Sequence, residues 1–156
     1  MAFAVAQTDY FPERFNDALG YAGDITSEEC WNLLVENNDA ALVDVRTQAE
    51  WAFVGVPNLQ SLNKHVHGIC WKLYPTMQVN TDFITQLEQV VPNKETPIAF
   101  LCKTGGRSLD AAVAATQAGY KHAYNVAHGF EGDKNEHGQR GEVNGWKATR
   151  LAWEQQ

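Results

Sequence analysis

The sequence predicts one α/β domain with a central, mostly parallel sheet flanked by helices, on three observations. Its 156 residues suit one core, well short of the ~250 at which chains tend to split. Two short, nearly continuous apolar runs, Ala41-Leu42-Val43-Asp44-Val45 and Pro97-Ile98-Ala99-Phe100-Leu101, read as strands covered on both faces. Segments of helical periodicity alternate with these runs, the pattern of a parallel sheet.

Residues 1–24 mix Asp9, Glu13, Arg14 and Asp17 with Tyr10, Phe11 and Phe15 and read as an N-terminal arm, with residues 25–156 forming the domain. Thr26-Ser27-Glu28-Glu29 reads as a capping box that opens a helix running to about Asn37. The stripe of Cys30, Leu33 and Leu34 on that helix makes Cys30 a small core residue. After the first strand, Gly55, Pro57, Gly68 and Pro75 indicate an irregular connection with one strand near Val66 to Trp71. Asn80 is expected to cap a helix bearing Phe83, Ile84, Leu87, Val90 and Val91, which Pro92 ends. The second strand is followed by a helix from near Ser108, with Leu109, Ala112, Val113 and Thr116 on one face and Gly119 as its stop. His122 to Val126 reads as a last strand. Five glycines and six charged residues between Gly129 and Gly145 predict a solvated loop, beyond which Trp146, Leu151 and Trp153 dock the terminus.

A net charge of −7 and a pI near 5.1 exclude a broad nucleic-acid or anionic-membrane surface. The excess is uneven: residues 1–50 hold ten acids and two bases, and the remainder nine acids and ten bases. A local anion site is therefore compatible with the second part. Cys30, Cys70 and Cys102 are odd in number and share no repeating spacing, which argues against a disulfide framework. The N-terminus has no basic n-region, and no apolar run approaches the roughly 18 residues of a membrane span. A cytoplasmic address is expected.

The chemistry concentrates in Cys102-Lys103-Thr104-Gly105-Gly106-Arg107-Ser108. A cysteine at the C-terminal end of a buried strand, before a loop that opens a helix, stands where ligands bind in open α/β sheets. The loop amides can turn inward as a donor nest, and the helix adds the positive end of its dipole. Lys103 and Arg107 bring charge with no acid between residues 102 and 109, surroundings that favour a nucleophilic thiolate. Gly105 and Gly106 are expected to supply positive φ angles or close backbone approach. Asp44, at the end of a buried strand, must be paired, so it is expected to tie neighbouring loops together while Arg46 forms an ion pair.

This loop resembles the C-x-x-G-x-R-S active-site loop of single-domain rhodanese-like sulfurtransferases. Leu42-Val43-Asp44-Val45-Arg46 with Glu50, Trp51 and Gly55, and Tyr124-Asn125-Val126 with Gly129-Phe130 and Gly145-Trp146, resemble the flanking motifs of that family in the expected order. The resemblance implies a rhodanese-like fold and a Cys102 that cycles through a persulfide, with residues 103–108 binding the substrate. The thiolate would take sulfur from a small anionic donor such as thiosulfate and yield it to cyanide, a thiol or a protein acceptor, with no metal or organic cofactor. After Gly55 the chain departs from the family's usual G-H-[IV]-x-G-A, so the wall near residues 55–75 is expected to be rebuilt, and His128 stands where the family often has a glycine.

Four other readings rank below this one. Cell-cycle-type phosphatases and some arsenate reductases carry C-x5-R, one residue more than separates Cys102 from Arg107, so a phosphoryl group should fit poorly. A persulfide carrier or regulatory module acting on a protein partner is the principal alternative. His65, His67 and Cys70 invite a metal reading, but no fourth ligand has recognisable spacing, and structural or surface roles are preferred; Cys70 as a second thiol resolving the persulfide ranks lower still.

Overall fold

The structure, a computed structural model, describes residues 20–155. Its centre is a five-stranded sheet of β1 (Gly23–Ile25), β2 (Ala41–Asp44), β4 (His67–Gly68), β7 (Ile98–Leu101) and β8 (Ala123–Val126). The spatial order is β1-β8-β7-β2-β4, and every neighbouring pair is parallel. Of the residues read as an N-terminal arm, Gly23 and Asp24 belong to the sheet's edge strand, and 1–19 lie outside the described residues.

Helix α1 (Ser27–Glu36) begins at the reciprocal Thr26–Glu29 capping box. It buries Cys30, Leu33 and Leu34 on one face of the sheet with Leu42, Ala99, Leu101, Tyr124, Phe130 and Trp146. The opposite face carries α3 (Phe83–Val90) and α4 (Gly106–Gln117) over Val43, Val45, Phe100 and Cys102. Successive strand residues point to opposite faces, which is why the β2 and β7 runs are apolar at nearly every position. Burying each large side chain contributes about 1.5–3 kcal/mol.

Four features depart from the sequence expectation. The 55–80 connection holds more than one strand: β3 (Val56–Pro57) pairs antiparallel with β9 (Trp153–Glu154), β4 enters the main sheet, and β5 (Lys72–Leu73) forms a hairpin with β6 (Gln78–Val79). A six-residue helix, α2 (Gln48–Phe53), opens at a second capping box, Thr47 with Glu50. Asn80 does not cap α3, whose N-cap is Asp82; its side chain instead shapes the preceding turn, accepting from the Asp82 N–H and donating to the Cys70 carbonyl. The buried stripe of α4 is Ser108, Ala111, Ala112 and Ala115, rotated from the expected one. Small residues let α4 lie close on the sheet, leaving Leu109, Val113 and Thr116 at partly exposed flanks. At the C-terminus, Trp146 is fully buried, whereas Trp153 stays 37% exposed and packs its ring edge to face on Phe130.

Candidate active site

Cys102 follows β7, the middle strand, and is 1% exposed. Two groups aim at its sulfur: the Gly105 N–H at 3.1 Å and the Ser108 hydroxyl at 3.1 Å. Of the two glycines, the left-handed conformation falls on Gly105 (φ 112°), which turns its amide inward. Gly106 is the first residue of α4, and a Cβ added there would meet nothing within 4 Å. The space in front of Gly106 is therefore open. Lys103 is half-buried and Thr104 exposed beside it.

Arg107 does not reach the sulfur with a hydrogen bond; its fork is held by Glu50, Nη1 to Oε1 at 2.7 Å and Nη2 to Oε2 at 2.9 Å. These hydrogen bonds hold the guanidinium above its ordinary range against the burial that lowers it, and the charge of Glu50 acts in the same sense. Burial pushes the Glu50 carboxyl up, but its bonds to Arg107 and Thr47 outweigh this and hold it below the usual carboxylate range. Glu50 is also the closing residue of the α2 capping box, so one side chain fixes a helix start and the cysteine loop together.

A second strap comes from the turn after β8. The Phe130 N–H donates to the Cys102 carbonyl at 2.8 Å, and the Glu131 N–H to the Lys103 carbonyl at 3.0 Å. Gly129 (φ 64°) lies so close that a Cβ would stand 2.5 Å from both carbonyl oxygens. His128 is left-handed as well (φ 69°), with its imidazole 3.7 Å from Asp133.

Asp44 and Arg46 sit behind the loop and are both buried. Their carboxylate and guanidinium meet at 2.7 Å, Arg46 also donates to the Gly55 carbonyl, and its guanidinium lies 4.4 Å from the centre of the Phe130 ring. These two residues join β2, the start of β3 and the strap. Cys30 is fully buried and its thiol is pushed far up by that burial. Cys70 is half-buried beyond β4, with its thiol pushed up by burial against a backbone donor at Gln48. All three cysteines are free. His65 and His67 meet edge to face at 5.8 Å, and among the described residues no group of three His, Cys, Asp or Glu side chains is placed to hold a metal ion.

Glu50, Asn125 and Gly129 stand in the motifs of the sequence but their tasks are not legible there. Signals did exist: Thr47-x-x-Glu50 repeats the pattern that marks Thr26 and Glu29, and Asn125 is a polar residue inside a wholly buried strand.

A parallel α/β sheet with a cysteine at the C-terminal end of its middle strand, under an inward amide and a hydroxyl at a helix start, defines a thiol-centred site of the strand-loop-helix class. The comparisons narrow this to one family. Residues 26–136 match the Rhodanese-like domain, and the chain belongs to that family. A curated relative, "Uncharacterized protein RP600" of Rickettsia prowazekii (strain Madrid E), is 38% identical over 131 residues, covering 83% of this chain and 95% of the relative. The crystal structure of Rv0390 from M. tuberculosis is 46% identical with a TM-score of 0.80, covering 87% of this chain and 99% of that one. The polysulfide-sulfur transferase homodimer of Wolinella succinogenes, at 22% identity and a TM-score of 0.52 over 79% of this chain and 83% of that one, shares the fold. No helix among the described residues is long and apolar enough to cross a membrane.

Proposed function

We propose that the protein is a sulfurtransferase that carries a sulfane sulfur on Cys102 as a persulfide. The observation that carries the reading is the convergence of the Gly105 N–H and the Ser108 Oγ on Sγ, each at 3.1 Å and each able to donate to a thiolate. Both stabilise negative charge on sulfur, in the thiolate and again in the persulfide. In the first half-reaction the thiolate attacks the outer sulfur of a donor such as thiosulfate; the new S–S bond forms as the old one breaks, and sulfite leaves with the electron pair. In the second, cyanide or a thiolate attacks the outer sulfur and the Cys102 thiolate departs. Lys103, Thr104 and the open face of Gly106 receive the donor's oxygens, while Arg107, occupied by Glu50, braces the loop and supplies charge at a distance.

The test is thiocyanate formation from thiosulfate and cyanide. Turnover lost in Cys102→Ser supports the reading; no turnover with any small sulfur donor, together with hydrolysis of an aryl phosphate that Cys102→Ser abolishes, contradicts it. Transfer to a protein acceptor is a second reading, favoured by one observation. The β5–β6 hairpin follows the C-terminal end of β4, the end of the parallel sheet that also bears Cys102, and it exposes Leu73, Tyr74, Met77 and Val79. Loading by thiosulfate without release to cyanide or small thiols distinguishes this carrier from the small-molecule enzyme.

A further inference from the structure

Behind Cys102 runs a line of polar side chains. Ser108 Oγ lies 3.1 Å from Cys102 Sγ and 2.5 Å from Asn125 Oδ1, and Asn125 Nδ2 donates to Asp24 Oδ1 at 2.9 Å. The pairing follows from sheet register, since Asp24 on β1 stands opposite Asn125 on β8. Ser108 and Asn125 are both buried (0% and 3% exposed), so water does not readily replace a missing partner.

Counting protons fixes the direction of every bond. A carboxylate only accepts, so Asp24 requires the NH2 side of the Asn125 amide and leaves Oδ1 facing Ser108. Oδ1 also only accepts, so the single hydroxyl proton of Ser108 serves that contact. The proton between Ser108 and Cys102 must then be the thiol's own, with Sγ–H donating to Oγ. Every group is satisfied when Cys102 is a thiol. When the Sγ proton passes to hydroxide or a buffer base, the Ser108 hydroxyl turns onto the thiolate, a charge-assisted bond, and Asn125 Oδ1 loses its donor.

We propose that Asp24, Asn125 and Ser108 form a hydrogen-bond switch that is fully satisfied around the thiol form of Cys102 and surrenders one bond when the thiolate forms, which makes Asn125 a positioning residue that acts through Ser108. The proposal rests on the reading of Cys102 as the nucleophile, and its test does not involve sulfur transfer, so the switch and the activity fail separately. Charged and titratable groups also stand on the elements packed around the loop: Lys103 and Arg107 from the loop itself, Asp44, Arg46 and Glu50 from β2 and α2, Tyr21 beside Asp24, and the His128–Asp133 pair and Glu131 after β8. A comparison made with and without the Ser108 hydroxyl isolates the switch from all of them.

The measurement is the pH profile of the ultraviolet thiolate absorbance of the full chain, with the Cys102→Ser profile subtracted. Asn125→Ala frees the Ser108 proton for sulfur and moves the midpoint down by about half to one pH unit, the value of one neutral hydrogen bond at about 1.36 kcal/mol per unit. Asp24→Asn is the second variant: it alters an exposed side chain and lets the Asn125 amide turn over, so Nδ2 donates to Ser108 and the midpoint again falls. In a Ser108→Ala background the shift from Asn125→Ala vanishes and that from Asp24→Asn shrinks to the effect of the lost charge. Equal shifts in the two backgrounds, no shift in either variant, or a shift to higher pH overturns the switch.

Discussion

Replacing Glu50 with Gln tests whether the cysteine loop is braced by one ion pair. The Arg107 and Glu50 side chains are 17% and 19% exposed and joined by two charge-assisted bonds. Fully exposed pairs contribute about 0.2–1 kcal/mol, and breaking a fully buried one costs about 3–5 kcal/mol. This pair lies between those limits, so Glu50→Gln should cost about 1–3 kcal/mol, discounted from the buried value for partial solvent access. The assay is equilibrium urea unfolding, in which the midpoint should fall with m unchanged. Its pH dependence follows from the lowered Glu50 carboxyl. A depressed folded-state value means the contribution is fully present above the unfolded value of about 4.3 and is lost as pH falls through the folded value. The gap between wild type and Glu50→Gln should therefore be constant from neutrality to about pH 5 and close in more acid solution. A gap below about 0.5 kcal/mol at neutral pH, or one that persists unchanged well below the folded value, would refute the brace.

Three further substitutions probe the loop and its support. Gly129→Ala places a Cβ against two carbonyl oxygens at a left-handed position, and should cost about 2 kcal/mol or more in urea unfolding; a loss within about 0.5 kcal/mol would mean the strap does not press on the loop. Gly106→Ala meets open space at a helical position, so stability should hold or rise by up to about 1 kcal/mol, while KM for thiosulfate rises several-fold if the donor occupies that space. An unchanged KM would place the donor elsewhere. Asp44→Asn leaves the buried Arg46 guanidinium without its counter-charge, at about 3–5 kcal/mol, read as a lowered Tm; a Tm within a few degrees of wild type would show that Gly55 and Phe130 suffice to hold Arg46.

The sheet and the cysteine loop were legible in the sequence for physical reasons. Strands buried on both faces leave unbroken apolar runs, as Ile98 to Leu101 does, and a strand-loop-helix site keeps its chemistry within seven consecutive residues. Legibility failed where structure depends on distant partners. The two-residue strand Val56–Pro57 exists because Trp153–Glu154 lies beside it, and α2 is held by its capping box without a single buried residue. The buried face of α4 departs from the expected one because the periodicity of the larger side chains, Leu109 and Val113, dominates the hydropathy pattern, whereas close approach to the sheet selects Ala111, Ala112 and Ala115. Arg107 illustrates a further limit: its charge is plain in the sequence, but its commitment to Glu50, 57 residues away, is a property of the fold.

Whether Cys102 carries sulfur is read from the intact mass of the protein after thiosulfate treatment. The expected result is a gain of one sulfur atom that cyanide or dithiothreitol removes, and no gain in Cys102→Ser. An unchanged mass with every sulfur donor tried, or a gain that survives in Cys102→Ser, would contradict it.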